Sequence, residues 1–385
     1  MSMLIWAIVQ ILFSSFLWFP VVLLVTSFLK KKRKPLALNN KEFDFAIIVT
    51  AYQQIDLLKD AVYSILNTKY SNFIIYVVAD NCDVSGLNFA NPKVIVLQPE
   101  NILASNVKSH IYAIDRFERN HDIISIVDSD NLVDENYLSA LNEKFHENFS
   151  AVQGVRAARN LNTFLACLDE AGDMFYRFID RKLLSESGSS ASLAGSGMAF
   201  KSDLYIQALK QIETNGAGFD KALQYNLVAS KEKIEFCEAA IVYDAKTTKA
   251  DQLVKQRSRW INTWFKYWKL GAILFFKSLL NFNWNQFAFS VMLLRPPLFL
   301  LGLISILMIA INLFFSPILL LIWAVSFSCF FIMFYRSLLY FKADNAIYES
   351  LWSAPKFIFY QIISLFKARS ANKISVATKH DVSNL

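Results

Sequence analysis

Ile123-Ile124-Ser125-Ile126-Val127-Asp128-Ser129-Asp130 is the stretch on which the fold turns. Four of its first five residues are apolar and β-branched, which suits a buried strand too short to be a globular helix. The strand ends in two acids with one small residue between them. Side chains alternate along an extended chain, so Asp128 and Asp130 can point to one side. Carboxylates gathered at a strand's carboxyl end repel unless something positive lies between them. Mg2+ or Mn2+ is the usual answer, because hard cations prefer carboxylate oxygen and bridge to phosphate. Taken alone, D-x-D reads equally as a solvated acidic turn before the next helix, so its surroundings decide.

Working outward, the segment from Phe45 to about Asp244 alternates between two patterns. Phe45–Val49, Ile74–Ala79 and Val94–Leu97 are strand-like, while Leu57–Leu66 and Ala104–Arg119 have helical spacing. Asp134 is placed to cap a helix running to His146. Short apolar runs separated by helices predict an α/β domain with a mostly parallel sheet, which binds ligands beyond the carboxyl ends of its strands. Polar groups stand at those ends: Thr50-Ala51-Tyr52-Gln53, Asp80-Asn81-Cys82-Asp83 and Asp128-Ser129-Asp130. No phosphate-cradling G-x-x-x-x-G-K is present, and no G-x-G-x-x-G follows the first strand.

Further along, Gly188–Phe200 (GSSASLAGSGMAF) is a small-residue loop entering a short strand, read either as a surface loop or as close backbone approach to a ligand. Asn215-Gly216-Ala217-Gly218-Phe219-Asp220 is a turn that begins a helix at Asp220. In Gln256-Arg257-Ser258-Arg259-Trp260, helical spacing puts Gln256, Arg259 and Trp260 on one face and Arg257 elsewhere. An amide, a guanidinium and an indole on one stripe could hold a pyrophosphate and stack on a sugar. Trp260, Trp264, Phe265 and Trp268, with Lys266 and Lys269 among them, equally suit a membrane surface.

The chain has 385 residues, is 55% hydrophobic with 34 Phe, and carries 18% charged residues and a mean hydropathy of +0.32. That composition fits one good-sized core plus membrane segments. Of the net charge of +7, Lys30-Lys31-Lys32-Arg33-Lys34 supplies +5, leaving +2 for everything else. The basic balance is therefore local, not a nucleic-acid-binding face. Ile5–Leu29 is an apolar run long enough to cross a bilayer, with the basic cluster behind it, so the chain is expected to enter the cytosol near residue 30. Pro296 to Tyr335 carries no charge and reads as two crossing helices joined near Asn312–Pro317. Leu351–Phe366 reads as interfacial, and Lys373–Leu385 as a polar tail. The four cysteines lack paired spacing and the four histidines are isolated, which argues for free thiols and against a zinc site.

These parts, in this order, resemble the membrane-bound family-2 glycosyltransferases, the group of polysaccharide synthases such as those of cellulose, chitin and hyaluronan. The resemblance rests on Ala51-Tyr52, Val78-Ala79-Asp80-Asn81-Cys82-Asp83, Asp128-Ser129-Asp130, Gly195-Ser196-Gly197-Met198, Asp220 and Gln256-Arg257-Ser258-Arg259-Trp260. Where the family has Glu-Asp or Thr-Glu-Asp, this chain has Gly218-Phe219-Asp220. The resemblance implies a GT-A fold over residues 44–250 and a nucleotide-diphosphate sugar donor. Asp220 is implied as the catalytic base. Ala51, Tyr52, Asp80, Asp128, Gln256 and Arg259 are implied at the donor, and Gly195, Ser196, Gly197 and Trp260 at the acceptor. Asp130, with Asp128, is implied at Mg2+ or Mn2+. The flanking parts are then an N-terminal membrane helix (1–30), a basic linker (31–43), the Q-x-x-R-W and interfacial helices (251–286), two membrane helices (287–342), an interfacial helix (343–370) and a cytosolic tail (371–385). The expected protein sits in a plasma or bacterial inner membrane with its catalytic domain cytosolic. It inverts the anomeric carbon while extending a polysaccharide. The alternatives are single transfer to a lipid such as a polyprenyl phosphate or ceramide-like acceptor, and an inactive nucleotide-sugar-binding scaffold. Three crossings are few for a channel, so export of a polymer would call for a homo-oligomer or an export partner.

Overall fold

The computed structural model describes residues 2–30, 41–212 and 218–371. Most of the basic cluster, Asn215–Ala217 and nearly all of the polar tail lie outside those residues. Eight strands form one sheet: β1 (Phe45–Tyr52), β2 (Phe73–Asp80), β3 (Val94–Leu97), β4 (Ile123–Asp128), β5 (Leu132–Val133), β6 (Ala151–Ala158), β7 (Met198–Lys201) and β8 (Ile234–Asp244), in the order β3-β2-β1-β4-β7-β6-β8-β5. β3, β2, β1 and β4 run parallel; β7 is antiparallel to β4 and β6. This is the expected α/β sheet with β7 let into it antiparallel and a second antiparallel strand, β5, at its edge beside β8. Parallel strands buried on both faces need continuous apolar sequence, and FAIIV and IIYVVA supply it.

Alternate residues feed opposite faces. Phe45, Ile47, Val49, Ile75 and Val77 pack on helices Leu58–Leu66 and Tyr137–His146. Ala46, Ile48, Tyr76, Val78, Ile124 and Ile126 face the other way, toward Val107, Phe175, Leu223 and Phe289. That second core also holds Phe19, Leu23 and Met333. The catalytic sheet and the apolar helices therefore share one interior.

Among the described residues, three helices are long and apolar enough to cross a membrane: Met3–Leu29, Leu298–Phe315 and Pro317–Tyr340, with mean hydropathies of 2.3, 2.7 and 2.4. They pack around Leu17, Leu301 and Trp323. Gln10 Oε1 accepts from Asn312 Nδ2 (2.7 Å) and from Trp323 Nε1 (2.8 Å), a polar knot of the kind that fixes helix contacts in apolar surroundings. Ser316 separates the last two helices, accepting from Leu319 N, with Pro317 at the start of the second. The Q-x-x-R-W segment lies on a 31-residue helix, Ala250–Leu280, against which helix Ala354–Lys367 packs.

Two boundaries differ from the sequence expectation. The helix foreseen over 104–119 is only Asn106–Ile114. Ala104 has φ +46°, outside helical geometry, and Ser105 caps the helix instead, accepting from Lys108 N. Asp134 does not cap the next helix: its carboxylate accepts from Asn136 N (2.9 Å), closing a turn before Tyr137.

Candidate active site

The register places the acids. Tyr52 stands level with Asp80 across β1–β2, and Thr50 level with Asp128 across β1–β4. Asp80 and Asp128 thus flank β1 at its carboxyl end, about 10 Å apart across two inter-strand spacings. A nucleoside and a diphosphate need a separation of that order.

Asp80 is 2% exposed, and its two oxygens accept from Leu103 N (3.0 Å) and Ala104 N (2.7 Å). It fastens loop 98–105 over the end of the sheet and keeps about two of its four lone-pair positions. Tyr52 is half-buried, whereas Ala51 is buried and offers a ligand only its backbone.

Asp128 has its backbone N–H on Ser196 Oγ (3.0 Å). Its carboxyl is raised above the usual range, first by burial and then by the charge of Asp130; Asp244 and Asp220 push the same way, against Arg156. Asp220 is therefore within electrostatic reach of the D-x-D pair. Asn131, completely buried, donates from Nδ2 to Asp130 Oδ1 (3.1 Å) and to Asp244 Oδ1 (3.2 Å). No group of three or more metal-ligating side chains occurs among the described residues. Two carboxylates that repel each other suit a cation whose remaining ligands come from a diphosphate and water.

Asp220 does not cap its helix. The helix is Phe219–Ala229, and Gly218 occupies the cap position at φ +87°. A Cβ on Gly218 would lie 2.4 Å from Thr263 Cγ2 and 2.9 Å from Tyr267 Cε2, so the turn carrying Asp220 lies directly on the Q-x-x-R-W helix. Phe219, the departure from the family pattern, is buried edge-on to His110 (5.2 Å between centroids), whose Nδ1 is 2.8 Å from Tyr205 OH. The side chain beside Asp220 is thus part of the core.

The Gly195-Ser196-Gly197 turn, expected at the acceptor, packs against the strand that ends in Asp128. Ser196 is completely buried and its hydroxyl fixes Asp128. Gly197, at φ +66°, is closed in by Val242, 2.9 Å from where a Cβ would be. Buried Gln153 ties this turn down, donating to Ser196 O and Gly197 O and accepting from Ala194 N. Only Gly195, at φ +86° with nothing within 4 Å of a Cβ, opens onto space.

Gln256 and Arg259 are half-buried and Trp260 is exposed on its outer edge. Arg259 is lowered from its ordinary value by burial. Arg257, expected off their stripe, is buried and pairs with Asp169, but its guanidinium lies 4.5 Å from the Trp260 ring centre and so touches the stripe. It belongs to a buried ion network that sequence reasoning missed. Arg156 pairs with Asp244 (2.6 Å), Lys246 with Asp173 (2.5 Å), Arg177 with Glu170 (2.9 Å) and Arg295 with Asp180 (2.7 Å). Asp244 was findable, since it too ends a strand in an acid; it joins the network to Asp130 through Asn131.

The model of a family described as glycosyltransferase like family 2 matches residues 43–263. The chain belongs to that family, and it is an inverting, nucleotide-sugar-dependent glycosyltransferase. Among solved structures it is similar to a mannosyltransferase from Pyrobaculum calidifontis in complex with GDP-mannose and Mn2+, at 13% identity and a TM-score of 0.56, over 94% of this chain and 99% of that one. That likeness shows the GT-A fold. No curated protein matches.

Proposed function

We propose that the protein transfers a sugar from a nucleotide-diphosphate sugar to a hydroxyl of a lipid-anchored acceptor at the cytosolic membrane face. The observation that carries this reading is that the three membrane-length helices pack directly on one another around Leu17, Leu301 and Trp323, tied by the Gln10–Asn312–Trp323 hydrogen bonds. A polymer would need a wet path, and these helices pack as a core instead. The exposed aromatics Trp260, Phe265 and Trp268 beside the site suit an interfacial helix next to lipid.

In this reading Tyr52 and Asp80 hold the nucleoside, while Asp128, Gln256 and Arg259 hold the diphosphate. Asp130, fixed by Asn131, joins Asp128 in binding Mg2+ or Mn2+, as the relative's Mn2+ complex suggests. Bound there, the cation offsets charge developing on the leaving diphosphate. Asp220 takes the proton of the acceptor hydroxyl as that oxygen displaces the diphosphate in line, which inverts the anomeric carbon. No protonated second acid is required, because the diphosphate leaves as an anion.

The test is to incubate membranes containing the protein with a panel of radiolabelled nucleotide sugars and divalent cation, then size and partition the product. A chloroform-soluble glycolipid is the expected result. A long water-soluble polymer would replace this reading with polysaccharide extension by an oligomer or with an export partner.

A further inference from the structure

Among the described residues, the buried ion network leaves Arg181 over. Each of Asp169, Glu170, Asp173, Asp180 and Asp244 has its own basic partner at salt-bridge distance. Arg181 is 9% exposed and has neither an ion pair nor a hydrogen bond among the described residues. Its Nε is sealed without a partner. Asp173 and Asp180 act on it from a distance, and Arg177 and Arg156 oppose them; burial holds its pKa down at about 10. A buried guanidinium without an anion is costly even after the surroundings relax. A chain that pairs every neighbouring charge and keeps this one has a reason to keep it.

Its position supplies the reason. Arg181 lies in a π-helical stretch, Arg177–Leu183, a geometry that recurs at functional sites. Around it the stretch packs on the membrane-length helices. Phe178 meets Tyr340 (5.3 Å between centroids), Lys182 lies 4.6 Å from the same ring, and Asp180 holds Arg295 just ahead of helix Leu298–Phe315. On the other side is Arg156, whose backbone oxygen accepts from Arg177 of this stretch and whose guanidinium pairs with Asp244 (2.6 Å), the neighbour of the carboxylate pair through Asn131. Arg181 thus stands between the membrane segment and the carboxylate pair, with Arg156 intervening.

We propose that Arg181 binds a phosphate group of the lipid-anchored acceptor, seating it at the junction of catalytic domain and membrane helices so that a hydroxyl farther along reaches Asp220. The phosphate is an anchor and not the nucleophile, since Arg156 separates it from the reacting centre. This rests on the lipid-acceptor reading above.

The probe is farnesyl phosphate added to the purified full chain in detergent, with farnesol and inorganic phosphate as the two partial probes. Farnesyl phosphate should raise the thermal midpoint of the parent protein, and neither partial probe should match it. Arg181→Met should melt higher than the parent without ligand, bind farnesyl phosphate about 10- to 100-fold more weakly, as expected for lost charge-assisted hydrogen bonds, and bind donor nucleotide unchanged. Arg181→Lys, which keeps the charge without the fork, should retain part of the shift and serves if the Met variant does not fold. Equal farnesyl phosphate affinity in parent and variants overturns the proposal. An equal shift from inorganic phosphate alone overturns the lipid source. If glycolipid still forms in membranes while Arg181 proves irrelevant to binding, this inference fails and the lipid-acceptor reading stands; if no lipid is glycosylated, that reading fails.

Discussion

Replacing Gly218 by alanine tests whether the turn carrying Asp220 is set by its contact with the Q-x-x-R-W helix. At φ +87° an L-residue costs about 1–2 kcal/mol. The new methyl would also lie 2.4 Å from Thr263 Cγ2 and 2.9 Å from Tyr267 Cε2, and relieving such overpacking costs about 1–3 kcal/mol more. Gly195→Ala is the internal control: its φ is +86° but it has open space, so only the backbone penalty applies. Gly218→Ala should therefore be less stable than Gly195→Ala by about 1–3 kcal/mol in a denaturant titration. Because relief moves the turn, and a 1 Å misplacement can cost about 10²-fold in rate, its turnover should fall by that order while donor affinity holds. Adding Thr263→Ser removes the nearer clashing methyl and keeps the hydroxyl that donates to Arg259 O. The double variant should recover part of both losses, a coupling that distant sites do not show. Equal stability of the two glycine variants, or no recovery with Thr263→Ser, would refute the packing argument.

Asp220→Asn should cut sugar transfer by about 10²–10⁴-fold with nucleotide affinity by calorimetry nearly intact; normal turnover would place the base elsewhere. Burial pushes His110 down to about 3. The unfolded chain's histidine protonates near 6.5, so this group's contribution is complete above about pH 6.5 and is lost as pH falls toward 3. His110→Gln should flatten the acid side of the stability curve by up to about 1.36 kcal/mol per pH unit, and urea midpoints that fall equally for both proteins would sink the assignment. A cysteine placed at Ser316 should react with an impermeant reagent from outside intact cells and one at Ser202 should not; the reverse pattern would overturn the cytosolic placement of the site.

Some of this protein was legible in one dimension because the signal was local. The β-branched runs gave the parallel strands, and the acids ending β2 and β4 stand on either side of β1 at the carboxyl edge of the sheet. Uncharged length gave the three membrane-length helices. Helical periodicity placed Gln256, Arg259 and Trp260 on one stripe. What tertiary structure alone decided are contacts between residues far apart in the chain. Arg156 meets Asp244 and Arg257 meets Asp169, each 88 residues away, and nothing in either local sequence names its partner. The same holds for Ser196, which resembles a flexible loop residue until β7 brings it under Asp128 N. It holds for Phe219, whose ring meets His110 in the core, more than a hundred residues away in the chain. Arg181 is the extreme case. Its charge is plain in the sequence, but that it is buried and left without a partner follows only once every neighbouring carboxylate has been paired in space.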